Sequence, residues 1–350
     1  MTKIQNENSI KPETKEKINQ GIETMAINSG KILAYGTYLF PSFFIGTAEE
    51  FKNILQVINE WENRKIQDRY RQNFKNTETE RLDPSQLLKK IYQFEYFNYL
   101  IVFQKNGLIC ITNKEKDIEK EVAIEKLKEI LAVFSYFLSV PFHFIDGEIL
   151  KIYLSQNLTV KSMLRRTDTP LSKLQMKQFH LDKEYNFNNY ISPDNIKDLL
   201  KKAEILNNDQ NINQFLYFFL KASQFEYNYE YSIAFLMSFL IIERYFRQKL
   251  NDFLNNTLNN KTFDEQELKK LKSKYRGPNN WKLYQIFETF HLYGILDTET
   301  YDTLLELKDI RNQFSHGKLK QQITKEIITK CFQIDKEILA SLVEPTLNKY

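Results

Sequence analysis

The chain has 350 residues, 42% of them hydrophobic, with 20 Tyr and 27 Phe: enough for a large core in one or two domains. Its formal net charge of +4 is too small to point to a partner unless the charge is clustered. The two cysteines, Cys110 and Cys331, lie far apart without a CxxC context. They fit neither a disulfide framework nor a zinc site, so a reducing cytoplasm is the expectation.

Residues 1–28 are polar, Asn- and Lys-rich and without a period. They read as a flexible or loosely docked arm, with a short helix as the alternative, and no signal peptide is visible in them. Lys31 to Phe40 is β-rich and ends at Pro41. Thr47-Ala48-Glu49-Glu50 predicts a helix start with a threonine cap and an acidic first turn, running through Trp61 toward Phe74. Asn98–Phe103 and Leu108–Thr112 flank Lys105-Asn106-Gly107, the strongest hairpin signal in the chain. A long amphipathic helix is expected from Glu119 to Leu138, stopping before Pro141. Phe142–Ile145 and Ile149–Leu154 around Asp146-Gly147 predict a second hairpin.

Beyond Pro193 the strand signals vanish. Asn195–Leu206, Ile212–Phe225, Tyr229–Asn256, Asp264–Tyr275, Trp281–Tyr293, Thr298–His316 and Thr324–Leu342 all suit helices. Breaks fall at Asn207-Asn208-Asp209, Gly277-Pro278-Asn279-Asn280, Gly294 and Gly317. The longest apolar run, Ile233 to Ile242, is bounded by Glu230 and Glu243. It suits a buried core helix and falls short of the roughly 20 residues a membrane span needs. The expected organisation is an arm over 1–28, an α+β domain over 29–195 and an all-α helical bundle over 196–350.

The segment Leu304 to Gly317 gathers groups able to cut RNA without a metal at short spacing. Leu307, Ile310 and Phe314 fall at i, i+3, i+7 and predict one buried helix face. Arg311 and Ser315 then lie together beside that stripe, as do Asn312 and His316. Gly317 is placed to end the helix in the left-handed region, leaving His316 at the C-terminal end, where the helix dipole favours a cation. A guanidinium can carry a phosphate's charge, and an imidazole can move a proton near neutral pH. The bland alternative is a capped, solvated helix end with an Arg nearby.

This segment resembles the HEPN family, closest to its Apea-like branch. Members share an α-helical bundle and an Arg-polar-x-x-x-His motif, often Arg-Asn-x-x-x-His followed by Gly. The matching residues are Arg311, Asn312 and His316, with Gly317 after them. Ser232 to Phe246 resembles the family's earlier core helix, which often carries an acidic residue after an apolar run, here Glu243. The resemblance covers roughly residues 200–345 and does not reach the N-terminal domain. It implies a metal-independent endoribonuclease, without a cofactor, in which two copies of the motif meet across a homodimer. Arg311, Asn312 and His316 would be catalytic, with Glu243 and Ser315 in support. It further implies an antiphage defence or toxin role, a tRNA or mRNA target, and a phage-derived or regulatory trigger. The N-terminal domain would recognise the substrate or trigger, or restrain the nuclease. The alternative is a catalytically inert dimerisation or binding module that partners another protein. A third reading, a nuclease gated by a nucleotide signal, is disfavoured by the lack of a Gly-rich loop near the first strand.

Glu243, bracketed by Ile241, Ile242, Tyr245 and Phe246, could orient Arg311 or form a structural salt bridge, and the two roles are compatible. Lys270, Lys272, Lys274 and Arg276, with Lys269 beside them, could bind RNA phosphates; a solvated helix face explains them as well. The same holds for Arg64, Lys65, Arg69 and Arg71. The aromatic stretch Phe215 to Tyr231 has core spacing. His143, His180 and His291 lack metal-ligand partners at useful spacing, so no metal site is expected.

Overall fold

The computed structural model describes residues 32–38, 43–57, 59, 91–105, 107–113, 117–142, 149–154, 160–164, 189–260, 281–317 and 322–349. The chain divides into two units: Met1–Ile130 with His143–Lys201, and Leu131–Phe142 with Lys202–Tyr350. The first contains the sheets; the second is helical. The division falls between residues 201 and 202, inside a helix, and the second unit also takes 131–142 from the N-terminal half.

The first unit holds strands β1 (Ile32–Tyr38), β2 (Phe43–Ile45), β3 (Ile91–Tyr96), β4 (Tyr99–Gln104), β5 (Leu108–Asn113), β6 (Leu150–Leu154), β7 (Val160–Leu164) and β8 (Asn189–Ile191). Six of them form an antiparallel sheet in the order β3-β4-β5-β1-β6-β7, and β2 pairs with β8 in parallel. The hairpin at Gly107 forms as its sequence predicts: Gly107 takes a φ of 84°, and its N–H donates to the Gln104 carbonyl at 2.9 Å. β4 and β5 are near-continuous apolar runs because both of their faces are buried. One face holds Ala34, Val102, Leu108, Cys110, Ile152 and Leu154. Gly36 pairs with Cys110 in the middle of this sheet, and a Cβ there would lie 2.4 Å from the Ile109 carbonyl oxygen.

The second predicted hairpin is corrected. β6 has β1 on one edge and β7 on the other, and residues 143–145 of the expected partner lie outside the described residues. Phe142 lies outside any strand; its N–H donates to Ser135 Oγ at 3.1 Å, and its carbonyl accepts from Gln224. The Asp146-Gly147 turn lies outside the described residues, as do residues 1–28, the expected helix from residue 60 toward Phe74, the 264–275 helix, His143 and His180. β2, β3, β7 and β8 are elements the sequence reading did not anticipate.

Helix α1 covers residues 48–57. It begins with a reciprocal capping box: Thr47 N–H donates to Glu50 Oε2 at 3.0 Å, and Glu50 N–H to Thr47 Oγ1 at 3.2 Å. Glu50 also accepts from Tyr92 at 3.1 Å and pairs with the nearly buried Lys105 at 2.8 Å. Burial pushes the Glu50 carboxyl up, but the Lys105 ammonium, the Thr47 N–H and the Tyr92 hydroxyl together hold it at about 2. Because the folded value lies below the unfolded one, this contribution to stability is present above about pH 4.5 and is lost as pH falls toward 2. Glu50→Gln is therefore expected to flatten the acid limb of the first unit's unfolding profile. An unchanged acid midpoint would count against this account.

Helix α2 (Lys120–Leu138) runs from the first unit into the second, and α3 (Pro193–Asn207) follows the sheets. The bundle comprises α4 (Gln210–Tyr227), α5 (Tyr231–Asn260), α6 (Leu283–Leu292), α7 (Thr298–Ser315) and α8 (Lys325–Leu347). Asp209 caps α4, accepting from the N–H groups of Asn211 and Ile212 at 2.9 and 3.2 Å. α5 is the central element, packing against α4, α6, α7 and α8. Its apolar run buries Phe235, Phe239, Ile241, Ile242 and Phe246, and Phe246 meets Phe287 edge-on with ring centroids 5.1 Å apart. Among the described residues no helix is long and apolar enough to cross a membrane. Both cysteines are free and buried.

Candidate functional site

α7 is tethered at its start by Asp297, which accepts from Thr300 N–H at 2.7 Å, and in its middle by buried Leu304 and Leu307. The expected buried face then thins out. Ile310 and Phe314 are only half-buried, so the helix leaves the core as it reaches the motif. Gly317 adopts a φ of 63° and ends the helix as its position predicts. His316 is the C-cap residue: its N–H donates to the Asn312 carbonyl at 3.1 Å, while its imidazole is exposed.

Arg311 is half-buried and held from several sides. Its Nη2 donates to Glu243 Oε2 at 3.3 Å and its Nη1 to Asn312 Oδ1 at 3.3 Å. Its guanidinium lies 5.9 Å from the Phe239 ring centroid. Phe239 and Glu243 are one turn apart on α5, so this helix offers the guanidinium both a ring and a carboxylate. The pairing expected of Glu243 is thus present, between residues 68 positions apart in sequence. With 38% of its side chain exposed, Arg311 remains reachable by a ligand. Its Nε–H and one N–H on each terminal nitrogen have no partner among the described residues.

The other Glu243 oxygen holds Arg247, a residue the sequence reading missed. Arg247 donates through Nε at 3.1 Å and Nη2 at 2.9 Å to Glu243 Oε1, and through Nη1 at 3.3 Å to the Trp281 carbonyl. One carboxylate therefore bridges two arginines, which stiffens both. The signal was available: Glu243 and Arg247 are spaced i, i+4 on a helix. Ser315 is exposed. Lys270, Lys272, Lys274 and Arg276 lie outside the described residues, as do Arg64, Lys65, Arg69 and Arg71. His291 is engaged within the fold, with Nδ1 3.1 Å from the Leu296 carbonyl and its ring stacked on Tyr301 at 4.5 Å.

Compared with known proteins, the chain matches no family model, and neither a curated protein nor a solved structure matches it significantly.

Proposed function

We propose that this protein is a HEPN-like, metal-independent endoribonuclease whose site is assembled from two copies of the Arg311-Asn312-x-x-x-His316 motif in a homodimer. The observation that carries this reading is the arrangement around Arg311. A guanidinium pinned by Glu243 and Asn312, yet still partly exposed, stands on the same helix end as an exposed imidazole. In such a site a base removes the proton of the RNA 2′-OH and O2′ attacks the adjacent phosphorus. The P–O5′ bond breaks, and an acid protonates the departing O5′. Arg311 grips the non-bridging oxygens and offsets the charge that builds in the transition state. One motif carries a single imidazole where base and acid are both needed; a second copy supplies the other. The half-buried Ile310 and Phe314 beside the motif are apolar surface that a second copy would cover. A role in antiphage defence, with the N-terminal unit recognising substrate or trigger, extends this reading by resemblance and architecture.

The deciding experiment incubates the purified protein with total RNA in EDTA and analyses the ends of the products. Fragments with 2′,3′-cyclic phosphate and 5′-hydroxyl ends are expected; no fragments, or 5′-phosphate ends, would overturn the reading. Glu243→Gln keeps the shape of the brace but removes its charge. It is expected to slow cleavage by about 10- to 100-fold through misplacement of Arg311. Activity equal to wild type would assign Glu243 a purely structural role.

A further inference from the structure

A groove of 520 Å³ is lined by Phe218 of α4 and by Leu240, Glu243, Arg244, Arg247 and Gln248 of α5. That volume suits a nucleotide-sized occupant, since small-ligand pockets span about 300–1,000 Å³. Glu243, whose other oxygen holds Arg311, forms part of the wall, so groove and motif adjoin. Both groove arginines are positioned in advance. Arg247 is fixed by Glu243 and the Trp281 carbonyl. Arg244 donates to Asn211 Oδ1 at 3.2 Å and lies 5.5 Å from the Phe215 ring centroid. Asn211 in turn exchanges two hydrogen bonds with Gln248, at 2.7 and 3.2 Å. Cations held this way lose little further freedom when they take a ligand. Phe218, half-buried, and Leu240, 43% exposed, give the same groove an apolar side.

Fixed guanidinium groups beside an aromatic ring match single-stranded nucleic acid, whose phosphates and base faces are both available. A duplex hides those faces. We propose that this groove binds the single-stranded RNA next to the scissile phosphate, with Arg244 and Arg247 on the backbone and Phe218 and Leu240 against a base. The inference rests on the nuclease reading and names its substrate class.

The test uses the full-length His316→Ala protein, which should bind while cutting too slowly to matter during a titration, with a short labelled single-stranded RNA and with the matching duplex. In that background Phe218→Leu, which leaves the ion pairs of the motif intact, is expected to weaken single-strand binding about fivefold or more. Arg247→Gln is expected to lower the slope of log affinity against log salt by about 0.7, the loss of one phosphate contact. Duplex affinity should change less. Unchanged single-strand affinity and salt slope in both variants would overturn the proposal. So would a shifted monomer–dimer balance with unaltered affinity of the dimer, which would give the groove to a second copy of the chain. If the protein cuts RNA and the groove variants cut equally well, the nuclease reading stands and this inference falls. If it binds single strands through the groove but never cuts, the inference stands and the nuclease reading falls.

Discussion

The His316→Ala protein is expected to cleave RNA about 10⁴-fold more slowly than wild type, at the upper end of what one general acid or base contributes. The upper end follows from symmetry, because one substitution in a homodimer removes both imidazoles. The fold should not suffer. The His316 side chain is exposed, and the helix end is made by backbone: His316 N–H on the Asn312 carbonyl and Gly317 N–H on the Phe314 carbonyl at 3.0 Å. Thermal midpoint and dimer content should therefore match wild type, measured alongside cleavage in EDTA. A composite site adds a concentration signature. On dilution through the dimer dissociation constant, the wild-type rate should fall with the square of protein concentration. Full cleavage by the purified mutant, or a rate proportional to concentration throughout, would sink the two-chain mechanism.

The Asp335→Asn protein is expected to gain stability relative to wild type as pH rises. Asp335 lies on α8 with no exposed surface, accepting a hydrogen bond from Ser238 on α5. Its Oδ1 is buried without a hydrogen-bond partner. Burial pushes this carboxyl well above its ordinary range, more than the Ser238 hydrogen bond pulls it down. A raised acid contributes stability that is fully present below the unfolded pKa, near 3.8, and is lost as pH rises to the folded value. Asparagine does not titrate. The difference in unfolding free energy between the two proteins should therefore grow by up to about 1.4 kcal/mol per pH unit above the ordinary Asp range, then level off. Urea unfolding at a series of pH values reads this directly, and other titrating groups cancel in the difference. A difference that stays constant with pH would show that Asp335 holds no raised pKa.

Asp335 also illustrates what a sequence hides. Its neighbours Lys336 and Glu337 suggest a solvated stretch. Yet it stands at helical spacing between Cys331 and Leu339, both buried, and so falls on the apolar stripe. The stripe was legible; that a carboxyl occupies it was readable only by following the period through a charged segment. Phe218 is a related case. The core reading of Phe215 to Tyr231 holds for buried Phe215 and Phe219 but fails for half-buried Phe218, which lines the groove, and for exposed Tyr227 and Tyr229.

Short-range physics made much of this protein readable in advance. The threonine cap at Thr47, the turn at Gly107, the helix from about residue 120 to Leu138 and the left-handed cap at Gly317 depend on neighbours within a few residues, so local sequence suffices. By contrast β3 escaped notice because its hairpin turns through Phe97, whose φ of 51° is unusual for a bulky residue.

Tertiary structure alone decided the insertion of β1 between β5 and β6, the partners of β6, the meeting of Glu243 with Arg311 and the enclosure of Asp335 against Ser238. All but the β6–β7 pairing join residues tens of positions apart. Hydrophobic pattern says that a face must be buried but not which face will cover it, because apolar burial is non-directional. Polar partners are then selected by whichever elements that packing brings together. The local sequence therefore determined that Arg311, Asn312 and His316 would cluster at a helix end. Only packing against α5 decided that Arg311 would share a carboxylate with Arg247, beside the groove that Phe218 and Leu240 line.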